Sequence, residues 1–104
     1  MLVIDQSRNG ATVEVEAGDT FRIQLYENPT TGYRWHLASP ADAALRVVED
    51  AFALLQDKPG AGGMRHWTFT ADRPAVVKLQ FDRKRAWETQ AAEVFTVTID
   101  VKAR

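Results

Sequence analysis

Apolar and polar residues alternate with a period of two along most of the chain, and this alternation constrains the fold more than any other feature. Successive side chains of a β-strand face opposite sides of a sheet, so each alternating segment predicts a strand with one buried face. The pattern is cleanest near the C-terminus, at Phe95, Val97, Ile99 and Val101. Six earlier strands are predicted around the apolar positions Val13 and Val15; Phe21, Ile23 and Leu25; Tyr33, Trp35 and Leu37; Leu45 to Leu55; Trp67 and Phe69; and Val77, Leu79 and Phe81.

Short strands separated by turn residues predict an all-β fold, an immunoglobulin-like antiparallel β-sandwich of about seven or eight strands. The stretch from Leu45 to Leu55 leaves two interpretations open, because alanine and leucine between Ala41 and Leu55 also favour helical turns. If every strand crosses the sandwich once, the connections alternate between its two ends. The loops after the second, fourth and sixth predicted strands are then expected to share one end.

Length and composition are those of an ordinary globular protein, which we expect to fold as a single domain over residues 1–104. Hydrophobic residues make up 45% of the chain and charged residues 26%. A formal net charge of -1 gives no field that attracts nucleic acid or an anionic membrane. The absence of cysteine excludes disulfides, thiolate metal sites and a cysteine nucleophile. We therefore expect no nucleic-acid or membrane partner. We also expect a monomer with no cofactor and no metal site.

The N-terminal residues Met1 to Asp5 lack the basic and apolar regions of a secretion signal. We expect either a cytoplasmic protein or a periplasmic or secreted one whose signal has been removed. No apolar run approaches the roughly 20 residues that a membrane-spanning helix needs, so no membrane span is predicted.

Loop 1, residues 28–33, follows the second predicted strand and reads Asn-Pro-Thr-Thr-Gly-Tyr. Pro29 fixes its own φ and favours an extended Asn28, whose side chain can hydrogen-bond to nearby backbone. Gly32 can adopt a positive φ where the chain turns into the next strand. These residues predict a stiff protrusion with Thr30 and Thr31 at its tip. Considered alone, such a loop is more often a well-made turn than a binding site.

Loops 2 and 3 carry the other unusual local sequences. Loop 2, residues 59–63, reads Pro-Gly-Ala-Gly-Gly and allows the backbone to lie flat against another surface. Glycine clusters are usually linkers, and this one lacks the strand-to-helix context of a phosphate-binding loop. Loop 3, residues 82–88, places Trp87 close to Arg85 in a polar connection. That composition is typical of interface hot spots, and the alternative is that Trp87 folds back over the end of the sandwich.

In this order, the motifs Asn-Pro-Thr-Thr-Gly-aromatic, Gly-x-Gly-Gly and Arg-x-Trp resemble the chagasin family of cysteine-protease inhibitors. The resemblance extends over nearly the whole chain and includes Asn9 to Thr12, Trp35, and Phe95 to Val97. It implies a reversible inhibitor of papain-like cysteine proteases that occludes the active-site cleft with loops 1, 2 and 3. The protease-binding residues that it implies are Asn28, Pro29, Thr30, Thr31, Gly32, Tyr33, Gly60, Ala61, Gly62, Gly63, Arg85 and Trp87.

By position, the resemblance puts Thr30 and Thr31 nearest the catalytic cysteine of the enzyme. It puts the loop 2 glycines along the substrate groove and Trp87 on an aromatic surface beyond it. Ala86 departs from the family, which usually has proline between the arginine and the tryptophan. Without the fixed φ of proline the loop is freer before binding, which is expected to weaken binding by an amount on the order of 1 kcal/mol.

Two other functions remain open from the residues. A noninhibitory immunoglobulin-like module would recognise a protein partner with the same loop end, because a fold does not establish a function. An enzyme would need a base or a metal ligand, and the chain has only His36 and His66, both on the outward phase of predicted strands. Solvated histidines are the more common case there, and no carboxylate cluster accompanies them. We expect no catalytic residue and no enzymatic activity.

Overall fold

The computed structural model describes residues 1–40, 42–55 and 60–104. Two short 3₁₀ turns lie at Gln6–Arg8 and Pro29–Thr31. The strands are β1 (Leu2–Ile4), β2 (Thr12–Glu16), β3 (Thr20–Glu27), β4 (Arg34–Leu37), β5 (Leu45–Leu54), β6 (Gly63–Ala71), β7 (Ala75–Lys84) and β8 (Glu93–Lys102).

The strands form two four-stranded sheets, and the predicted immunoglobulin-like sandwich is confirmed. One sheet has the order β1-β3-β6-β5 and the other has the order β2-β8-β7-β4. Four neighbouring pairs are antiparallel, as predicted. The edge strands β1 and β2 instead pair parallel to β3 and β8, and the chain passes from one sheet to the other through the 3₁₀ turn at Gln6–Arg8. Both sheets are therefore mixed.

The inward side chains of the two sheets form one core, and the alternation predicted it closely. The apolar positions predicted for β2, β3, β6, β7 and β8 are all buried. Aromatic rings fill the centre, where the Trp67 and Phe81 centroids lie 4.5 Å apart and those of Phe21 and Phe69 lie 5.4 Å apart. In β4, Trp35 is buried and Leu37 is half-buried at the edge.

Strand β5 settles the ambiguity of the segment from Leu45 to Leu55, because Leu45–Leu54 form a strand and not helical turns. The register against β6 shifts between Val47 and Glu49, so Val48 is an extra residue in the ladder. That shift breaks the period of two. Most β5 side chains are exposed, since this strand is the edge of its sheet.

Strand β5 crosses the sandwich once, so the predicted alternation of connections holds. The β3–β4, β5–β6 and β7–β8 connections emerge at the same end, which we call the loop end. Within the described ranges, no helix is long and apolar enough to cross a bilayer.

Candidate functional site

Loop 1 is held in shape by hydrogen bonds that it makes with itself. Asn28 Oδ1 accepts from the Thr30 amide at 3.2 Å and from the Thr30 hydroxyl at 2.6 Å. The Thr31 hydroxyl donates to the Asn28 carbonyl at 2.8 Å. Gly32 ends the 3₁₀ turn with a φ of 82° and donates its amide to the Pro29 carbonyl. The predicted roles of Asn28 and Gly32 in the loop's shape are confirmed, and both threonines are exposed at the tip.

Two further hydrogen bonds fasten the base of loop 1. The Trp35 amide donates to Glu27 Oε1 at 2.6 Å, and the Trp35 indole donates to the Tyr26 carbonyl at 2.8 Å. Glu27 and Trp35 are only 2% and 1% exposed. Glu27 was not among the residues predicted for the site, although it continues the inward phase of Phe21, Ile23 and Leu25, where a charged residue is unexpected.

Glu27 belongs to a small ionic cluster formed by three strands of one sheet. Arg65 Nη1 lies 3.9 Å from Glu27 Oε2, and Arg65 Nε donates to Asp50 Oδ1 at 2.7 Å. The Arg65 guanidinium also lies 5.5 Å from the centroid of the Trp67 ring. The hydrogen bond to Asp50, together with the charges of Asp50 and Glu27, raises the pKa of Arg65 above its ordinary value. This cluster connects β3, β5 and β6 directly below loops 1 and 2.

Loop 2 contains glycines of two kinds. Gly60 has a φ of 78° and is exposed, and its carbonyl accepts from Asn28 Nδ2 at 3.1 Å. Gly62 and Gly63 are instead crowded from within the protein: a Cβ would collide with the Tyr26 hydroxyl at Gly62 and with backbone and side chain of β5 at Gly63. The absence of a side chain at these two positions thus already serves internal packing. Ala61, between Gly60 and Gly62, is half-buried, and Pro59 lies outside the described residues.

Loop 3 is shorter at its start than the sequence indicated. Residues 82–84 still belong to β7, so the prediction of a loop from 82 to 88 is wrong, and the connection to β8 consists of residues 85–92. Polar residues extend the strand there because Asp82 and Arg83 pair with Val94 and Glu93 of β8. Side-chain alternation alone does not detect such polar strand ends.

Within loop 3, residues 85–88 form a reciprocally bonded β-turn. The Glu88 amide donates to the Arg85 carbonyl at 3.1 Å, and the Arg85 amide donates to Glu88 Oε1 at 2.9 Å. The Arg85 guanidinium lies 4.4 Å from the Tyr33 ring centroid and 5.8 Å from that of Trp87. Trp87 itself is 75% exposed. The alternative in which Trp87 folds back over the sandwich is therefore wrong.

The three loops form one continuous surface, which we call the loop surface. Asn28 connects loop 1 to loop 2 through Gly60, and the Arg85 side chain connects loop 3 to loop 1 by packing on Tyr33 and passing beside Gly32. All twelve residues that were predicted for the site lie on the three loops that meet at this surface.

The two histidines lie away from this surface. His36 is exposed on β4, as expected. His66 points outward from β6, but its side chain is only 13% exposed because Glu49 covers it, with His66 Nε2 3.0 Å from Glu49 Oε1. In the part of the chain that the structure describes, no group of three or more His, Cys, Asp or Glu side chains is arranged to hold a metal ion.

A profile of the family described as "Chagasin family peptidase inhibitor I42" matches residues 14–99, which include all three loops. The chain belongs to the chagasin family of peptidase inhibitors. The resemblance inferred from the loop motifs is thereby confirmed.

Family relatives match the chain over nearly its whole length. Chagasin from Trypanosoma cruzi is 29% identical over 105 residues, which cover 96% of each sequence. The crystal structure of the cysteine protease inhibitor EhICP2 from Entamoeba histolytica superposes with a TM-score of 0.86 at 20% identity, covering 97% of this chain and 95% of that one. The structure of PbICP-C in complex with falcipain-2 shares the fold, with a TM-score of 0.64 at 14% identity and complete coverage of both chains.

Proposed function

We propose that residues 1–104 act as one monomeric domain that reversibly inhibits papain-like cysteine peptidases, with the loop surface occluding the active-site cleft. The observation that carries the proposal is the joining of loops 1, 2 and 3 into one surface by the Asn28–Gly60 hydrogen bond and the packing of Arg85 on Tyr33. Membership of a peptidase-inhibitor family supports the same function.

Each loop has a distinct part in this proposal. Thr30 and Thr31 form the exposed tip that enters the catalytic centre beside the enzyme's cysteine. Loop 2 follows the substrate groove with the exposed Gly60 foremost, and Trp87 supplies a large apolar contact outside the centre. A few residues carry most of the binding free energy of an interface, and tryptophan and arginine are enriched among them.

The conformation of loop 1 explains how it can occupy the cleft without being cut. Hydrolysis requires the scissile carbonyl to lie in near-attack geometry before the thiolate and the oxyanion donors. The peptide groups from Pro29 to Thr31 are instead wound into a 3₁₀ turn, and the Thr30 and Thr31 hydroxyls bond back to Asn28. Distorting this turn into a productive geometry would break those bonds, so binding without cleavage is favoured.

The preformed loops also favour tight binding. An interface whose loops are ordered before association loses less conformational entropy when it forms. In loop 3, the paired hydrogen bonds between Arg85 and Glu88 supply part of the rigidity that the family's proline would give at Ala86. The proposal assigns no catalytic chemistry to the chain.

A titration tests the proposed function. The purified protein is added to a panel of papain-like peptidases, together with Thr30→Glu and, as a matched control, Thr12→Glu on the exposed edge strand β2. Wild type and Thr12→Glu should abolish activity near equimolar ratio, whereas Thr30→Glu should not. Intact mass after prolonged incubation should remain unchanged.

Two results would contradict the proposal. Binding without loss of peptidase activity would favour a noninhibitory module that uses the same end of the sandwich. Stoichiometric cleavage between Asn28 and Tyr33 would identify loop 1 as a substrate and not as an inhibitory element.

A further inference from the structure

We propose that Glu27 is a positioning residue for inhibition, whose buried carboxyl group holds loop 1 in the conformation that enters the peptidase cleft. This inference rests on the function proposed above. It concerns a residue outside the three loop motifs, which acts on the enzyme only through loop 1.

The topology explains why loop 1 needs a fastening at its base. Its two ends belong to different sheets, since β3 lies in the sheet with β6 and β4 lies in the sheet with β7. No ladder of backbone hydrogen bonds can therefore close the loop as it would in a hairpin. Strand β4 is also the edge of its sheet, and the Trp35 amide donates to Glu27 Oε1 at 2.6 Å. A side chain of β3 thus takes the place of a missing strand partner.

The position of Glu27 makes this fastening direct. Glu27 immediately precedes Asn28, whose side chain and carbonyl hold the threonines of loop 1. A shift of Glu27 relative to Trp35 would therefore move one end of loop 1 relative to the other. The hydrogen bond from the Trp35 indole to the Tyr26 carbonyl fixes the same junction at the preceding residue.

The burial of this carboxyl group is costly, which argues against a role in stability alone. Within the described residues, Glu27 Oε2 is buried without a hydrogen bond, and Arg65 Nη1 stays 3.9 Å away. A buried polar atom without a hydrogen bond destabilises the folded state, and a well-packed apolar residue often replaces a buried ionic group without loss of stability. Glutamate here supplies something that an apolar side chain lacks, which is the acceptor for Trp35.

The same cluster connects loop 1 with loop 2. Arg65 lies two residues after Gly63, at the start of β6, and Asp50 on β5 holds its guanidinium. Glu27 therefore lies against the supports of both loops. We expect that releasing it disturbs the relative position of the threonine tip and the Gly60 carbonyl.

Two variants of nearly equal length separate the acceptor from the volume of the side chain. Glu27→Gln keeps an oxygen for the Trp35 amide, and Glu27→Met removes it while still filling the site. Val101→Ala, which opens the core at the far end of β8, serves as a control for general destabilisation. Inhibition constants and association and dissociation rates are measured against a papain-like peptidase that the wild type inhibits, at a temperature where all variants are folded.

Glu27→Met should weaken inhibition about tenfold, since a loop that must be ordered on binding loses affinity, and Glu27→Gln should stay within about threefold of wild type. Val101→Ala should leave the inhibition constant unchanged. The proposal is overturned if Glu27→Met inhibits like wild type, if Val101→Ala weakens inhibition equally, or if Glu27→Gln is as weak as Glu27→Met.

A measurement without peptidase separates failure of this inference from failure of the proposed function. Hydrogen exchange of the amides from Thr30 to Trp35 should be faster in Glu27→Met than in wild type and nearly unchanged in Glu27→Gln. If the wild type inhibits no papain-like enzyme but these amides respond as stated, the proposed function fails and the positioning of loop 1 by Glu27 stands. Unchanged exchange in Glu27→Met overturns the positioning role itself.

Discussion

Loops 1 and 3 reach the same surface but acquire their shapes in different ways. Loop 1 is organised by short-range hydrogen bonds among Asn28, Thr30 and Thr31, and its exposed tip carries small side chains. Loop 3 has one reciprocally bonded turn, and its guanidinium packs on Tyr33 of loop 1 while Trp87 projects into solvent. The difference indicates that loop 1 contributes a fixed shape and loop 3 contributes contact area.

The largest effect is expected in loop 3. Changing Trp87 to Ala should weaken binding to a papain-like peptidase by about 2 kcal/mol or more, as for an interface hot spot. Because Trp87 is 75% exposed, the free energy of unfolding should not change, which urea denaturation would check. Trp87→Phe is the matched control and should retain part of the affinity. Unchanged inhibition of several papain-like enzymes by Trp87→Ala would show that this tryptophan is not a contact residue.

A somewhat smaller effect is expected from Asn28→Ala in loop 1, and it should appear in both binding and stability. The change removes the acceptor for Thr30 and the donor to Gly60, and loss of such a capping side chain destabilises a protein by about 1 kcal/mol. Binding to the peptidase should weaken by a similar or larger amount because the tip becomes disordered.

Asn28→Asp sharpens this comparison. The aspartate keeps the acceptor for Thr30 but cannot donate to the Gly60 carbonyl. Its inhibition constant should therefore lie between those of wild type and Asn28→Ala. If Asn28→Asp were no better than Asn28→Ala, the connection to loop 2 would matter more than the shape of loop 1.

Removing the side-chain bond within loop 3 should have a modest effect. Glu88→Ala deletes the acceptor for the Arg85 amide, and a hydrogen bond of this kind contributes about 0.5–1.5 kcal/mol. Glu88→Gln preserves an acceptor and should behave like wild type. Association and dissociation rates against one peptidase would check this, and equal inhibition by both variants and wild type would mean that the turn needs no support from Glu88.

The smallest effect is expected from Ala86→Pro, and it should be favourable. Ala86 is the second residue of the turn that the Glu88 amide closes on the Arg85 carbonyl, a position where proline is favoured. Proline at a compatible position stabilises by about 0.4–1 kcal/mol by restricting the unfolded or unbound chain. Thermal unfolding and the inhibition constant should both improve slightly. Weaker inhibition would indicate that loop 3 changes its backbone conformation on binding.

Much of the fold could be predicted because its core follows local alternation. Strand β1 was missed, since a three-residue segment carries too little pattern and is defined only by its parallel pairing with β3. The polar end of β7 was assigned to loop 3 for a related reason: Arg83 belongs to a strand because it pairs with Glu93, ten residues away. Pairing partners distant in sequence leave no local signal.

In the candidate site too, local features were predicted and contacts between distant parts of the chain were not. Asn28 and Gly32 acted as predicted, because their effects reach only two or three residues along the chain. The glycines of loop 2 were interpreted as a linker or as a surface for a partner, yet Gly62 and Gly63 also make room for Tyr26 and β5. Crowding of this kind depends on which strands become neighbours.

By itself, the sequence determined most of the strand pattern, the local shape of loop 1 and the resemblance to the chagasin family, because alternation, turn residues and short motifs can each be recognised from local sequence. Only the tertiary structure decided that Trp87 remains exposed, that Arg85 packs on Tyr33 and that Glu27 holds Trp35 across the two sheets. Those contacts join residues of separate strands and loops, and their geometry is fixed only once the two sheets pack face to face.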